Sequence, residues 1–399
     1  MFEYKPKWEM AERKVLKELE AISAKSETDS GHKVPLTTIV KVEPHPNADR
    51  LELAFVYGFQ CVVQKDKYKI GDRVVYIPID SLLPQWLEDQ LFPEGSKITL
   101  HQHRVRQIKI RKIYSQGMLI DLADITSMIN PKYLEVEQDL AAALGVTKYE
   151  PPQRATGTRP GNPRNKPLEN PRFHKYGGVD NVKWYPNYFD GQEVVIQCKL
   201  HGSCCRASYA KTSANTLWKK IKKFFGKLPA YEFCYGSNNV QLQERKNYTT
   251  FYGTDVYGIT LAKVDAFAKM KPGETIFGEL IGPGIQKGYE YGHTDHHFVL
   301  FDVKVTLDDG SQEYLDPEQA EAYAKERGFS FVPVLYVGIY NAILAKQLSS
   351  GPSIYCPKQK VREGIVIKIR TGYSNHSSKK ALKLISEEYL NDPNNTDFH

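Results

Sequence analysis

The residues best suited to covalent chemistry lie in Glu193-Val-Val-Ile-Gln-Cys-Lys-Leu-His-Gly-Ser203, where a β-branched run delivers Lys199 to the end of a strand. A lysine amine is a nucleophile only when it is partly deprotonated, which desolvation or neighbouring positive charge brings about. Gly202, three residues on, lets the backbone come close to a bound nucleotide. Taken alone, Lys199 also reads as a surface lysine closing a strand. Four later stretches end strand-like runs in a carboxylate, an aromatic ring or a lysine: Phe277-Gly-Glu-Leu-Ile-Gly-Pro-Gly-Ile-Gln286, Phe298-Val-Leu-Phe-Asp-Val303, Arg362-Glu-Gly-Ile-Val-Ile-Lys368 and Ala381-Leu-Lys-Leu-Ile385. Each by itself also reads as a buried strand with a structural charge at its end.

Lys199-Leu-His-Gly202 resembles motif I of the covalent nucleotidyltransferases, the superfamily of DNA ligases, RNA ligases and mRNA capping enzymes, and its histidine is similar to RNA ligases. The four later stretches resemble motifs III, IIIa, IV and V in the family's order. The resemblance implies that Lys199 takes AMP from ATP as a lysyl-adenylate, with His201 and Gly202 beside the nucleotide. It implies that Glu279 contacts the ribose, that Phe298, or failing that Phe301, stacks on adenine, and that Glu363 helps hold Mg²⁺ or Mn²⁺. Lys368 and Lys383 would then offset charge on the phosphates. Three positions depart from the family pattern. Ser237-Asn238-Asn239 stands where Ser-Arg-Asn is usual, leaving Asn238, Arg245 and Lys246 as candidates for gripping phosphate or nucleic acid. Ile385 stands where motif V commonly has a second lysine, with Lys368, Lys379 or Lys380 as candidates for that charge, and Cys198 sits where glutamate is common.

The elements that must position these residues divide the sequence. Residues 8–24 place Ala11, Val15, Leu16, Leu19 and Ile22 at helical spacing, predicting a leading helix with a linker to 32. From 33 to 150, short β-rich runs broken by turns predict a small barrel of the OB type. Residues 151–180, crowded with Pro, Gly, Arg and Asn, read as a linker. Residues 181–399 alternate strand runs with helices, notably 317–327, and form the expected adenylyltransferase domain. The fold class expected is α+β: an OB barrel followed by a nucleotidyltransferase domain, ATP-grasp-like, with antiparallel sheets and flanking helices. An OB part placed first, with motif V near the end, resembles the fifth family of RNA ligases, which seal nicks in duplexes. Val42-Glu-Pro-His-Pro-Asn-Ala-Asp-Arg-Leu51, Gly71-Asp-Arg-Val-Val-Tyr-Ile-Pro-Ile-Asp80, Ser115-Gln-Gly-Met118 and Val146-Thr-Lys-Tyr-Glu-Pro-Pro152 look like that family's sequence. The first of these also resembles tRNA-binding OB domains.

Two basic stretches are candidate nucleic-acid surfaces. Residues 101–112 alternate Val105, Ile108 and Ile110 with Arg104, Arg106, Lys109 and Lys112, which predicts a basic stripe on one barrel face. Residues 216–228 predict an amphipathic helix with Leu217, Trp218, Ile221, Phe224 and Phe225 inward and four lysines outward, read as a solvated helix ahead of a duplex clamp or a membrane-surface helix. His45 and Asp49 read as parts of a turn rather than metal ligands. His293, Asp295, His296 and His297 are metal-ligating by type and read as polar loop residues.

Hydrophobic residues at 41% and charged residues at 25% fit a folded soluble chain, and no run approaches the roughly 18 apolar residues of a membrane span. The N-terminus carries no secretory pattern, and the six cysteines show no zinc-ligand spacing, so free thiols in the cytoplasm are expected. The net charge of +7 is compatible with a polyanionic partner. No GxxxxGK[ST] loop is present, which removes the common alternative way of holding ATP. The expectation is a monomeric ATP-dependent RNA ligase using Mg²⁺ or Mn²⁺ on nicked or broken RNA, with no membrane partner. The rivals are a DNA ligase, a GTP-using capping-type enzyme, or a non-catalytic tRNA-binding OB protein.

Overall fold

A computed structural model describes residues 32–96, 99–149, 169–214, 217–242, 254–307, 309–356, 358–375 and 378–391. The predicted leading helix, most of the predicted linker, and Arg245 and Lys246 lie outside the described residues. The chain forms two compact units: residues 1–152 with 183–186 and 396–399, and residues 153–182 with 187–395.

In the first unit, one bent strand serves two antiparallel sheets. Its first half, Leu36–Thr38, pairs with Arg73–Ile77, which pairs in turn with Met118–Asp121. Its second half, Lys41–Pro44, pairs with Leu51–Val56, which turns at Tyr57-Gly58 into Phe59–Gln64. Alternation along these strands sends Val34, Leu36, Val75, Ile77 and Ile120 into one core and Ala54, Val56, Phe59, Cys61 and Tyr76 into another, all buried. Trp184 belongs to this unit and packs against Tyr57, Phe59 and Tyr76 with ring centroids 5.0–5.5 Å apart.

The 101–112 run is not one strand. Residues His101–His103 make a 3₁₀ turn, Arg104 makes a single bridge to Leu82, and the strand Ile108–Ile110 pairs in a hairpin with Ile113–Ser115. Arg104 is buried, binds Asp80 through Nε at 3.0 Å and stacks over Tyr149. It is therefore a structural residue and not part of a basic stripe, whereas Arg106, Lys109 and Lys112 are exposed. His45 is buried, faces the Ile110 carbonyl at 3.2 Å and accepts from the Asn47 backbone N–H, so it pins a turn.

The second unit stacks two sheets. One has the order Asp180–Asn181, Ala381–Ile385, Gly364–Ile369, Glu193–Lys199, Val334–Ile339. The other runs Gln241–Leu242, Tyr231–Ser237, Ser203–Lys211, Glu274–Ile281, His297–Thr306, Gln312–Tyr314. The helices Val256–Lys263 and Pro317–Arg327 bury Leu261, Ala320 and Ala324 against the second sheet. Pro317–Arg327 matches the sequence expectation because its ends are written in side chains: Asp316 and Gln319 form a capping box, and Gly328 closes it at φ +65.

Candidate active site

Lys199 ends its strand on the inner side of the first sheet, paired in register with Gly364. Its Nζ donates to Glu363 Oε1 at 2.6 Å. Glu363 is buried, and its Oε2 has no hydrogen-bond partner among the described residues. Gly364 must be glycine at this point, because a Cβ would sit 2.3 Å from the Leu384 carbonyl oxygen of the adjacent strand. Gly202 is constrained in the same way: a Cβ would lie 2.3 Å from the Leu280 oxygen and 2.8 Å from Glu279 Cγ. The glycine after the histidine thus brings the Lys199 turn down onto the Glu279 strand.

His201 is buried, and its ring lies 3.2 Å from the Tyr389 hydroxyl and 4.0 Å from Glu363 Oε1. Its backbone N–H donates to the Tyr291 hydroxyl at 2.7 Å. Tyr289 and Tyr389 pack edge-on against the imidazole. His201 is held behind the Lys199–Glu363 pair, and it does not line the cavity in front of them.

That cavity, of about 230 Å³, is lined by Lys199, Glu279, Phe301, Lys368, Lys383, Asn238, Gln197, Cys204 and the 176–179 segment, among others. All five motif stretches therefore contribute a predicted residue to its wall, motif IV through Lys368, while the motif IV carboxylate, Glu363, reaches it through Lys199. Phe298 does not contribute. It is buried among Leu280, Leu300 and Phe329 on the helix-covered face. The physical reason is a β-bulge: Phe277 pairs with Asp302 and Gly278 with Leu300, so Phe301 is the extra residue. Side-chain parity switches there, and Phe301 and Asp302 both turn toward the first sheet while Phe298 stays in the helix-facing core.

Asp302 is fully buried and collects three donors: Lys368 Nζ at 2.8 Å, Tyr176 hydroxyl at 2.6 Å and Tyr373 hydroxyl at 2.9 Å. Lys368 also donates to the Phe301 carbonyl at 2.7 Å. Burial pulls the Lys368 amine below the usual lysine range, and Asp302 opposes that shift. Lys368 thus fixes the stacking strand as well as lining the cavity. Asn238 accepts from the Tyr176 backbone N–H at 2.8 Å. At the position where the family has an arginine, this asparagine holds the segment that walls the cavity. Lys379 closes the same wall, donating to Gly177 O at 2.5 Å with its amine 3.8 Å above the Tyr176 ring. Burial lowers its pKa to about 8.

Sequence reasoning missed Gln197, Tyr176 and Asp302. Gln197 is buried and lines the cavity, and its Nε2 has no partner among the described residues. Its strand position, two residues before Lys199, is the signal that could have found it. The 293–297 loop holds His293 stacked on His297 at 3.7 Å and Asp295 bound to His297 and Lys263. Among the described residues no group of three or more His, Cys, Asp or Glu is arranged to hold a metal.

A family model for RNA ligases matches residues 192–385, and one for an OB-fold domain matches residues 34–122. The structure is similar to that of Naegleria gruberi RNA ligase in several states. A mutant form with ATP and Mn has a TM-score of 0.67 at 23% identity, covering 90% of this chain and 98% of that one. The form with PPi has a TM-score of 0.66 at 24% identity, covering 90% and 97%. A mutant form with AMP and Mn has a TM-score of 0.67 at 23% identity, covering 90% and 97%. The order of the two matched domains and the α+β architecture agree with that fold, and residues 192–385, which carry the motif residues around the cavity, match the RNA ligase family model.

Proposed function

We propose that Lys199 forms a lysyl-adenylate with ATP and that the chain then joins an RNA 3′-hydroxyl to a 5′-phosphate, sealing nicks in duplexes. The observation that carries this is the Lys199 amine, 2.6 Å from a buried carboxylate, at the wall of a cavity that also presents Glu279, Phe301 and Lys383. In the first step Lys199 Nζ attacks the α-phosphorus, a P–N bond forms and pyrophosphate leaves. Glu363 Oε1 is placed to take the amine proton. AMP then passes to the RNA 5′-phosphate, and the 3′-hydroxyl attacks that phosphate and expels AMP. Lys383 offsets charge on the phosphoryl oxygens, while Lys368 acts by holding Phe301 and Asp302 in place.

The metal reading rests on Glu363, whose Oε2 is buried without a partner among the described residues and is an oxygen donor of the type Mg²⁺ or Mn²⁺ takes. Bound there with Glu279 nearby, such an ion would supply positive charge to the triphosphate. The Naegleria ligase structures carry ATP or AMP together with Mn, which supports the same assignment. The free cysteines support an intracellular location, and among the described residues no helix is long and apolar enough to cross a membrane.

The test is transfer of label from [α-³²P]ATP to the protein. Wild type should become labelled and Lys199→Ala should not; label on that variant refutes the assignment. Comparing ATP with GTP, and nicked RNA duplexes with DNA ones, separates this reading from a capping-type enzyme and a DNA ligase.

A further inference from the structure

The helix Leu217–Phe224 is turned inside out. At about 100° per residue, Trp218, Ile221, Phe224 and Phe225 share an arc of about 120°, with Lys220 and Lys222 on its two edges and Lys219 and Lys223 behind. A globular helix buries such an arc. Here Trp218 is 74% exposed, Phe224 85%, Phe225 66% and Ile221 38%. The polar side faces the protein instead, where Lys219 Nζ binds Glu232 Oε2 at 2.5 Å. That pair fixes the orientation, because Lys219 lies nearly opposite the centre of the apolar arc. The sequence expectation of inward-facing rings is therefore reversed.

We propose that this helix docks the protein on an anionic lipid surface, with Trp218, Phe224 and Phe225 entering the headgroup boundary and Lys220 and Lys222 meeting lipid phosphates. Between Lys211 and Tyr231 the chain has five lysines and no acidic residue, so the charge complements an anionic layer. The separation of rings from lysines is the pattern of an interfacial helix, with the cations snorkelling at its edges. Single-stranded RNA would need rings and cations interleaved on one face with open ring surfaces. Phe224 and Phe225 instead pack edge-on against each other, at 5.3 Å and 86°. The helix also sits at the Lys211 end of a strand whose other end carries cavity-lining Cys204, about 23 Å away by strand rise, so docking leaves the cavity open.

The experiment is flotation of the full chain with phosphatidylcholine vesicles, with and without about a third phosphatidylglycerol, at low and high salt. Wild type should float with the anionic vesicles only, less so at high salt, and with a blue shift in tryptophan emission. The triple variant Trp218→Ser/Phe224→Ser/Phe225→Ser should lose about tenfold in partitioning, and Lys220→Glu/Lys222→Glu should lose a similar factor with the rings intact. An unchanged circular dichroism spectrum shows that each variant is folded. Failure of the wild type to float, or equal flotation of the triple variant, overturns the proposal. So does a triple variant that keeps wild-type flotation while losing affinity for single-stranded RNA, which would make the helix an RNA surface. Dimerisation of a wild type that ignores vesicles, abolished in the triple variant, would assign the face to a second copy.

Discussion

At the scale of single residues, the site depends on groups that have no room to change. Replacing Gly202 with alanine puts a Cβ against the Leu280 backbone oxygen, which cannot yield as a flexible side chain could. Gly202→Ala is expected to abolish lysyl-adenylate formation while circular dichroism still reports a folded chain. Asp302 is the opposite case, a buried charge with every contact satisfied. Asp302→Ala leaves the buried Lys368 without a counter-charge and should lower unfolding free energy by about 3–5 kcal/mol in a denaturant melt. Lys379 makes a pH prediction. Its folded pKa of about 8 lies below the ordinary lysine value, so between the two the unfolded chain binds the extra proton. Stability contributed through this group therefore rises as pH increases from about 8 into the usual lysine range. Wild-type and Lys379→Met proteins melted across that window should diverge, with the variant lacking the rise.

At the scale of elements, the bulge in His297–Thr306 decides which ring faces the cavity. Phe301→Ala should raise the KM for ATP by about tenfold at nearly unchanged stability, since base stacking on one ring contributes about 1–3 kcal/mol. Phe298→Ala should do the reverse, costing about 3–5 kcal/mol in stability through the cavity it leaves among Leu280, Leu300 and Phe329. Equal effects on KM would remove the bulge argument. The strands themselves were legible in the sequence, because the β-branched runs leading to Lys199 and Lys368 and the short apolar run around Lys383 leave few other readings. The Pro317–Arg327 helix was legible from its caps. The bulge was not, because it arises from pairing with Phe277 and Gly278, residues some twenty positions earlier. Arg104 misled for a similar reason: its partner Asp80 sits on another element, and charge alternation cannot distinguish an outward arginine from one paired inside. The helix at 217–224 was found by period but given the wrong face, since the deciding contact is with Glu232 across the hairpin.

At the scale of the whole molecule, the two units have separate cores, and the second holds every residue of the adenylation cavity. Exchanging the exposed Arg106, Lys109 and Lys112 of the first unit for glutamate should therefore spare labelling by [α-³²P]ATP while weakening the sealing of nicked RNA. If labelling falls as far as sealing, that division of labour is wrong. The six thiols are all free. Burial pushes Cys198 up to about 11 and Cys61, Cys204 and Cys234 to about 12, and Cys205 is raised as well. Two of these sulfurs, Cys198 and Cys204, stand in the wall of the cavity beside Lys199, yet near neutral pH they are almost wholly in the unreactive thiol form. Iodoacetamide and mild peroxide should accordingly pass the cavity by, leaving an enzyme whose first step needs no reducing agent and whose lysine has no rival nucleophile beside it.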